Sequence, residues 1–318
     1  MRYRSLGNSG LMVSVAGLGG NNFGRRLDMS GSRAVVDAAL EAGVTLIDTA
    51  DSYGGGGGSE KILGEVLAGR RDQVVLATKF GHQAFDMKYG PAAGAKGGRA
   101  YIRLAVERSL RRLRTDYVDL YQLHTPDPVS PIEETLRALG ELVAEGKVRY
   151  IGHSNLAGWQ IADAAHAARE AATEPFVSAQ NHWSLLERGV EAEVVPAARQ
   201  FGLGVLPYFP LANGLLTGKV RRGQAAPKDS RLATREGYIT DEKLDRVEAL
   251  ISWAADHGLT VLDVAIGALA AQPGCASVIA GATSPEQVKA NVMAAEWVPS
   301  AEELAEIGTL LPPPGRAG

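Results

Sequence analysis

Short apolar runs recur along the chain, and most are followed by a segment with helical periodicity. Ser32–Ala42, for example, places its apolar residues at helical spacing and stops at Gly43, while Pro131 and Gly146 bracket another such segment. This alternation predicts parallel βα units. The strand-like runs are Val44–Ile47, Val74–Thr78, Val118–Leu123, Tyr150–His153, Phe176–Ala179, Gly204–Pro207 and Ser277–Ala280.

Each apolar run is followed directly by a residue that could belong to a functional site. The carboxyl ends of successive parallel strands meet at one mouth when the strands close into a barrel, and such barrels keep their chemistry there. The sequence therefore predicts an α/β fold, a single (β/α)8 TIM barrel over residues 1–318. An N-terminal β-hairpin (Tyr3–Leu6 and Leu11–Val15) is expected at the barrel bottom, and long active-site loops at Gly81–Gly98 and Arg221–Gly237. The residues that follow the runs are Asp48, Lys79, His124, Ser154, Gln180, Tyr208 and Gly281.

The bulk composition fits this architecture and narrows the choice of partners. A chain of 318 residues suits a barrel of ~250 residues with insertions. The net charge of −3 gives no reason to expect nucleic acid or an anionic membrane as a partner. No apolar stretch approaches the ~20 residues that span a bilayer, and the N-terminus lacks the apolar core of a secretion signal. The single cysteine, Cys275, fits a reducing compartment, so we expect a cytoplasmic enzyme.

Four residues at the expected mouth fit one mechanism: Asp48, Tyr53, Lys79 and His124. A lysine at the end of an apolar strand needs a partner, because burying an ammonium group alone is costly, and Asp48 is the natural one. A free tyrosine has a pKa of ~10, and a neighbouring ammonium group lowers it by stabilising the phenolate. Such a phenol can give a proton to a developing alkoxide while a histidine holds the carbonyl. The set suits carbonyl reduction with a hydride from a cofactor.

The spacing of these residues and the segments around them resemble the aldo-keto reductase superfamily. Gly-Val-Thr-Leu-Ile-Asp-Thr-Ala-Asp-Ser-Tyr-Gly surrounds Asp48 and Tyr53, and the resemblance covers nearly the whole chain. It implies the barrel fold and the reduction of an aldehyde or ketone to an alcohol, mostly with NADPH. The chain is more similar to the bacterial and potassium-channel β-subunit branch than to the classical one. The further matching segments are Gly146–Asn155, Gln180–Arg188, Tyr208–Lys219 and Gly281–Asn291.

The resemblance assigns roles to individual residues. Tyr53 resembles the family's proton donor, and Lys79 and Asp48 resemble its activators. His124 resembles the substrate-orienting residue, and Tyr208 takes the place of the ring that stacks on the nicotinamide. The other expected cofactor contacts are Gly20, Asn21 and Asp48 at the mouth, Ser154, Asn155 and Gln180 for the carboxamide, Pro210, Leu211 and Lys219 for the pyrophosphate, and Arg231, Gly281, Thr283, Gln287 and Asn291 for the adenosine and its phosphate.

Two features depart from the family pattern. Many classical members carry a lysine and an arginine in the last motif, where this chain has Gly281 and Gln287. A preference for NADPH then rests mainly on Arg231 and Lys219, and NADH is not excluded. The glycine run Gly54–Gly58, directly after the tyrosine, is either a flexible surface turn or a mobile rim that widens the substrate pocket.

Several other polar residues are expected to have structural roles. Asp51 and Glu60 are interpreted as solvated groups at the rim. His153 lies inside a strand-like run and is expected to be a core histidine with hydrogen-bond partners. None of the histidines forms a metal-binding motif, so no metal is expected.

Two alternatives to a carbonyl reductase stay open at this point. One is an NADP(H)-binding barrel that acts mainly as a regulatory or redox-sensing subunit, as the channel-associated branch suggests. The other is a metal-dependent barrel hydrolase, which the lack of clustered ligands disfavours. The substrate is a small carbonyl compound of unspecified kind (an aldehyde, a ketone, a quinone or a keto-sugar nucleotide), and a homo-oligomer is neither indicated nor excluded.

Overall fold

A parallel sheet of eight strands curls around and closes on itself in the computed structural model, which describes residues 1–223, 232 and 237–313. The sheet order is β10-β3-β4-β5-β6-β7-β8-β9, and its two end strands meet where the amide of Ile279 donates to the carbonyl of Pro207 at 3.0 Å. The strands are β1 (Tyr3–Ser5), β2 (Met12–Ser14), β3 (Ala16–Gly19), β4 (Leu46–Asp48), β5 (Val75–Phe80), β6 (Val118–Leu123), β7 (Val148–Ser154), β8 (Ser178–Gln180), β9 (Gly204–Val205) and β10 (Val278–Gly281).

Helices surround the barrel, and they include the two segments that the sequence predicts, over Ser32–Ala42 and between Pro131 and Gly146. The segment predicted over Ser32–Ala42 begins earlier, because the Asp28 side chain accepts a hydrogen bond from the amide of Gly31 and caps the helix there. The helices are α1 (Met29–Glu41), α2 (Tyr53–Gly56), α3 (Gly58–Val66), α4 (Arg99–Leu113), α5 (Ile132–Ala144), α6 (Gly158–Glu170), α7 (Val194–Gln200), α8 (Asp241–Asp256), α9 (Val261–Ala270), α10 (Pro285–Glu296) and α11 (Ala301–Leu310).

The predicted (β/α)8 barrel is confirmed, with one strand that the sequence analysis does not identify. Each of the seven apolar runs overlaps a barrel strand. The eighth strand, Ala16–Gly19, follows the hairpin directly and pairs with both β4 and β10. Its sequence, Ala-Gly-Leu-Gly, lacks the β-branched and aromatic residues by which strands are recognised.

The predicted N-terminal hairpin is also present and fills one end of the barrel. Strands β1 and β2 pair antiparallel, with Tyr3 opposite Ser14. Leu6 and Val13 are fully buried and pack with interior residues such as Leu46 and Leu120. Because apolar side chains fill this bottom end, the polar interior residues gather at the other end, where the strands finish.

Among residues 1–223 and 237–313, no single helix is both long and apolar enough to cross a membrane, and only the bent pair α8 and α9, taken together, meets the length and composition criteria.

Candidate active site

A buried ion pair forms the centre of the mouth. Lys79 is 0% exposed, and its Nζ lies 2.5 Å from Oδ2 of Asp48. The same nitrogen donates to the carbonyl of Thr49 at 2.9 Å and to the hydroxyl of Tyr53 at 3.4 Å. Burial opposes the charge on Lys79, but attraction by Asp48 and Tyr53 outweighs it and raises the pKa of the ammonium group. The lysine is therefore a fixed cation that touches both the carboxylate and the phenol.

Two glutamine amides hold the other oxygen of the carboxylate. Oδ1 of Asp48 accepts hydrogen bonds from Gln180 Nε2 at 2.9 Å and from Gln122 Nε2 at 3.2 Å. Both glutamine side chains are almost fully buried, and they point into the barrel interior from β6 and β8. Gln122 is missing from the sequence analysis, although it lies two residues before His124 and so shares its side of β6. A polar residue on the inner side of an apolar strand is the signal that identifies it.

Tyr53 and His124 meet above the ion pair. Their rings pack edge to face with centroids 5.8 Å apart, and the ring centroid of Tyr53 lies 5.0 Å from Lys79 Nζ. Burial, with Lys79 and His82 contributing, lowers the pKa of His124 well below its usual value. The imidazole is therefore neutral near pH 7. His82, which the sequence analysis leaves without a role, packs edge to face on it with centroids 4.5 Å apart.

A second hydrogen-bonded group consists of Ser154, Asn155 and Tyr208, and it contacts the site around Lys79 through the backbone carbonyl of His124. Asn155 Nδ2 donates to the carbonyl of His124 at 3.0 Å and to Oγ of Ser154 at 2.9 Å. The hydroxyl of Tyr208 donates to Oδ1 of Asn155 at 2.8 Å, and its ring stacks on His182 with centroids 5.4 Å apart. Burial, and after it Tyr53, raises the pKa of Tyr208, so this phenol stays protonated. The structure thus brings these sequence-predicted residues to the same mouth.

Other expected cofactor residues lie at or after the carboxyl ends of β3 and β10. The amide of Gly20 donates to the carbonyl of Asp48 at 2.7 Å. Gly281, at the end of β10, faces Asn21, since a Cβ on it would lie 3.5 Å from Oδ1 of Asn21. Farther along, Gln287 Oε1 accepts hydrogen bonds from the amide and hydroxyl of Thr283, and Asn291 is buried in α10.

The segment after Tyr208 contains the remaining expected contacts. Pro210 is buried, Leu211 is half-buried and Lys219 is exposed. Between them, Asn213 is 9% exposed, and neither polar atom of its amide has a hydrogen-bond partner among the described residues. Arg231, the basic residue expected at the adenosine phosphate, lies outside the described residues.

The interpretation of Asp51 and Glu60 as solvated rim groups is wrong. Both side chains are 0% exposed, because they lie between the barrel and the helices α3 and α4. Glu60 accepts hydrogen bonds from Thr78 Oγ1 and from Arg112 Nε, each at 2.6 Å. Neither carboxylate oxygen of Asp51 has a hydrogen-bond partner within the described ranges. In the same part of the chain, no three His, Cys, Asp or Glu side chains are arranged to hold a metal ion.

The chain belongs to the aldo/keto reductase family, whose sequence model matches residues 16–311. It is 38% identical to an uncharacterized oxidoreductase, YrpG, from Bacillus subtilis (strain 168), over 99% of this chain and 97% of that protein. It is also 35% identical to a probable voltage-gated potassium channel subunit beta from Arabidopsis thaliana (94% of this chain, 92% of that protein). An L-glyceraldehyde 3-phosphate reductase from Escherichia coli (strain K12) is 33% identical over 96% of this chain and 91% of its own length.

These similarities confirm the resemblance derived from the motifs, including its bacterial and channel-subunit branch. Membership of the family indicates an oxidoreductase of the carbonyl-reducing kind, with a small-molecule substrate and a nicotinamide cofactor.

Proposed function

We propose that the protein reduces an aldehyde or ketone to an alcohol with NADPH, and that Tyr53 supplies the proton. The observation that supports this most directly is the position of Lys79 Nζ, 2.5 Å from Asp48 and 3.4 Å from the hydroxyl of Tyr53. A cation held by a carboxylate stabilises the phenolate that forms when the phenol gives up its proton. No residue at the mouth needs to act as a covalent nucleophile in this scheme.

Each residue then has a separate task. The neutral imidazole of His124 can donate a hydrogen bond to the carbonyl oxygen and orient it toward Tyr53. Tyr53 transfers its proton to that oxygen as negative charge develops on it, and Lys79 stabilises the resulting phenolate. Gln122 and Gln180 keep Asp48 in place, so that the lysine stays aimed at the phenol. A reduced nicotinamide, when bound, supplies the hydride.

The residues along the mouth fit such a cofactor. Ser154, Asn155 and Tyr208 lie together beside His124, where the nicotinamide end would have to reach the substrate. The buried amide of Asn213 lacks a partner within the described residues, which fits a polar ligand passing over this segment. At the other end, α10 begins at Pro285 and Ser284 caps it, so a negatively charged group is favoured there.

The preference for NADPH over NADH depends on the charge near the adenosine. We assign it to Lys219 and Arg231, assisted by the hydroxyl groups of Thr283 and Ser284. Comparing kcat/KM for NADPH and NADH in Lys219→Ala and Arg231→Ala variants tests this assignment. A selectivity that neither variant changes would contradict it.

The test of the main proposal is Tyr53→Phe, which removes the hydroxyl group and keeps the ring. With NADPH and a panel of aldehydes and ketones, we expect kcat to fall by about 10²–10⁴-fold, while the Kd for NADPH measured by fluorescence stays close to that of the wild type. Tyr3→Phe is the matched control, because Tyr3 lies on the hairpin at the opposite end, where its hydroxyl donates to Gly43. A Tyr53→Phe protein with wild-type kcat would overturn the assignment.

The similarity to a probable channel β subunit supports a second candidate, an NADP(H)-binding regulatory subunit with little turnover. The two candidates differ in rate and in partner. Negligible turnover across the carbonyl panel, together with recovery of one stable membrane protein partner, would favour the second. The panel should include phosphorylated short-chain aldehydes, because one relative is named for such a substrate.

A further inference from the structure

An unpaired carboxyl group lies buried directly behind the catalytic mouth. Asp51 precedes Tyr53 by two residues, is 0% exposed and has no hydrogen-bond partner for either carboxylate oxygen among the described residues. Glu60 beside it is fully engaged, with Thr78 on one oxygen and Arg112 on the other, both at 2.6 Å. Because the guanidinium group of Arg112 pairs with Glu60, it leaves Asp51 without an ion pair.

The groups around Asp51 favour its protonated form. Burial has the largest effect and the charge of Glu60 adds to it, whereas Arg112, the backbone amide of the adjacent Ser52 and Lys79 act in the opposite direction. The balance raises the pKa of Asp51 to about 8. The titratable and charged groups that face it are Lys79 on β5, Glu60 on α3, Tyr101 and Arg112 on α4, Tyr121 on β6 and Tyr89 in the loop after β5.

The backbone connects Asp51 to both members of the catalytic pair. The amide of Asp51 donates to the carbonyl of Lys79 at 3.1 Å, and the amide of Tyr53 donates to the carbonyl of Ala50 at 3.2 Å. The loop that holds Tyr53 near Lys79 is thus anchored at Asp51.

The glycine run on the other side of Tyr53 has the backbone freedom that a hinge requires. Gly54, Gly55, Gly56 and Gly57 all have left-handed backbone conformations, with φ between +65° and +98°. A Cβ at position 57 would lie 2.4 Å from Cδ of Arg112, so the run packs directly on the arginine that serves Glu60. Chain of this composition rearranges more readily than chain with side chains. A change in the charge of Asp51 can therefore change the conformation of the loop that contains Tyr53.

We propose that Asp51 is a positioning residue that holds Tyr53 against Lys79 only while its carboxyl group carries a proton. Loss of the proton leaves two buried carboxylates, Asp51 and Glu60, facing one arginine, and this arrangement is unstable. The loop then turns about the glycine run, Asp51 reaches solvent, and the phenol moves away from the lysine. The mouth therefore opens reversibly on the alkaline side of neutrality. The effect on rate rests on the proposed function, whereas the movement of the loop does not.

Asp51→Asn tests the proposal, because the amide has the same shape and cannot ionise. Asp37→Asn is the matched control, since Asp37 pairs with Arg70 at the surface of the protein. From pH 7 to pH 9 we expect kcat of the wild type and the control to fall about tenfold through this one ionisation, and the fall to be clearly smaller in Asp51→Asn. An ionised Asp51 would make Tyr53 harder to ionise, so an alkaline effect from Tyr53 alone would appear at least as strongly in Asp51→Asn as in the wild type.

Hydrogen–deuterium exchange provides a readout that needs no activity. Peptides covering residues 49–58 should exchange faster in the wild type than in Asp51→Asn at pH 9, and equally at pH 7. Equal exchange at both pH values would overturn the inference, whatever the enzyme reduces. A clear difference at pH 9 without any carbonyl reduction would instead overturn the proposed function and leave the inference standing.

A wild-type measurement covers the case in which Asp51→Asn does not fold. Exchange of residues 49–58, corrected for the intrinsic effect of pH and compared with α8 as an internal reference, should rise between pH 7 and pH 9. A constant ratio would contradict the proposal.

Discussion

Asp48 ends strand β4 and Asp51 lies three residues later, in the loop that follows; both are buried, yet their surroundings have little in common. Asp48 faces the barrel interior, where Lys79, Gln122 and Gln180 satisfy its two oxygens. Asp51 faces the layer between the barrel and the helices, where no side chain of the described residues forms a hydrogen bond with its carboxylate oxygens. The interior therefore holds a carboxylate with a fixed counter-ion, and the layer behind it holds a carboxyl group that burial keeps neutral at pH 7.

The difference shows why two buried carboxyl groups so close in the chain can differ in charge. A paired carboxylate can stay ionised in a buried place because its hydrogen bonds and its counter-ion offset the loss of water. An unpaired one takes up a proton instead. Both residues lie within five positions of Tyr53, which is why the two regions can be compared through their effect on the phenol.

The strongest test of the interior region is Lys79→Met, which removes the ammonium group and keeps most of the side-chain volume. Asp48 then stays buried without its counter-ion. We expect a fall in kcat of about 10²–10⁴-fold and a loss of about 3–5 kcal/mol in the free energy of unfolding, measured by steady-state kinetics and by denaturant titration at pH 7. Lys61→Met is the control, because Lys61 is exposed on α3. Wild-type activity in Lys79→Met would show that the interior ion pair is not the activating element.

A smaller effect is expected from Gln122→Leu, which removes one hydrogen bond to Asp48. The carboxylate keeps Gln180 and Lys79, so the pair should loosen rather than break. We expect kcat to fall about tenfold, which corresponds to about 1.4 kcal/mol in the activation barrier, with little change in KM. The exposed Gln73 offers a matched control as Gln73→Leu. If kcat were unchanged, Gln180 alone would be sufficient to hold the carboxylate.

The sequence is enough to predict the barrel and the ion pair at its centre, since both follow from local patterns. Apolar runs and helical segments alternate visibly, and a lysine at the end of such a run requires a carboxylate. The position of Gln122 at the mouth can also be predicted, because side chains alternate along a strand and Gln122 therefore points to the same side as His124. The burial of Asp51 cannot be predicted in this way, since it depends on where α3 and α4 pack over the loop. Nothing close to Asp51 in the chain distinguishes it from a solvated residue.

The layer between the barrel and the helices contains a second buried titratable group, His153. His153 alternates with Ser154 along β7 and faces the helices, where its ring packs edge to face on Phe176 with centroids 5.3 Å apart. It is fully buried as expected, but neither ring nitrogen has a hydrogen-bond partner among the described residues, so the expectation of partners is wrong. Burial lowers the pKa of His153 to about 3. Like Asp51, it is kept neutral by its position.

The smallest effect at neutral pH should come from His153→Leu, a change of similar volume that removes a titratable group from this layer. A histidine whose pKa is lower in the folded state takes up its proton more easily when unfolded, so the wild type loses stability as the pH falls from about 6.5 toward 3. Between pH 7 and pH 5 this loss is about 2 kcal/mol, and His153→Leu should lack it while keeping a similar free energy of unfolding at pH 7. Denaturant titrations at both pH values measure the difference, with the exposed His166→Leu as the control. An equal acid sensitivity in wild type and His153→Leu would show that this layer admits water or a proton, and the same objection would then apply to the neutral state assigned to Asp51.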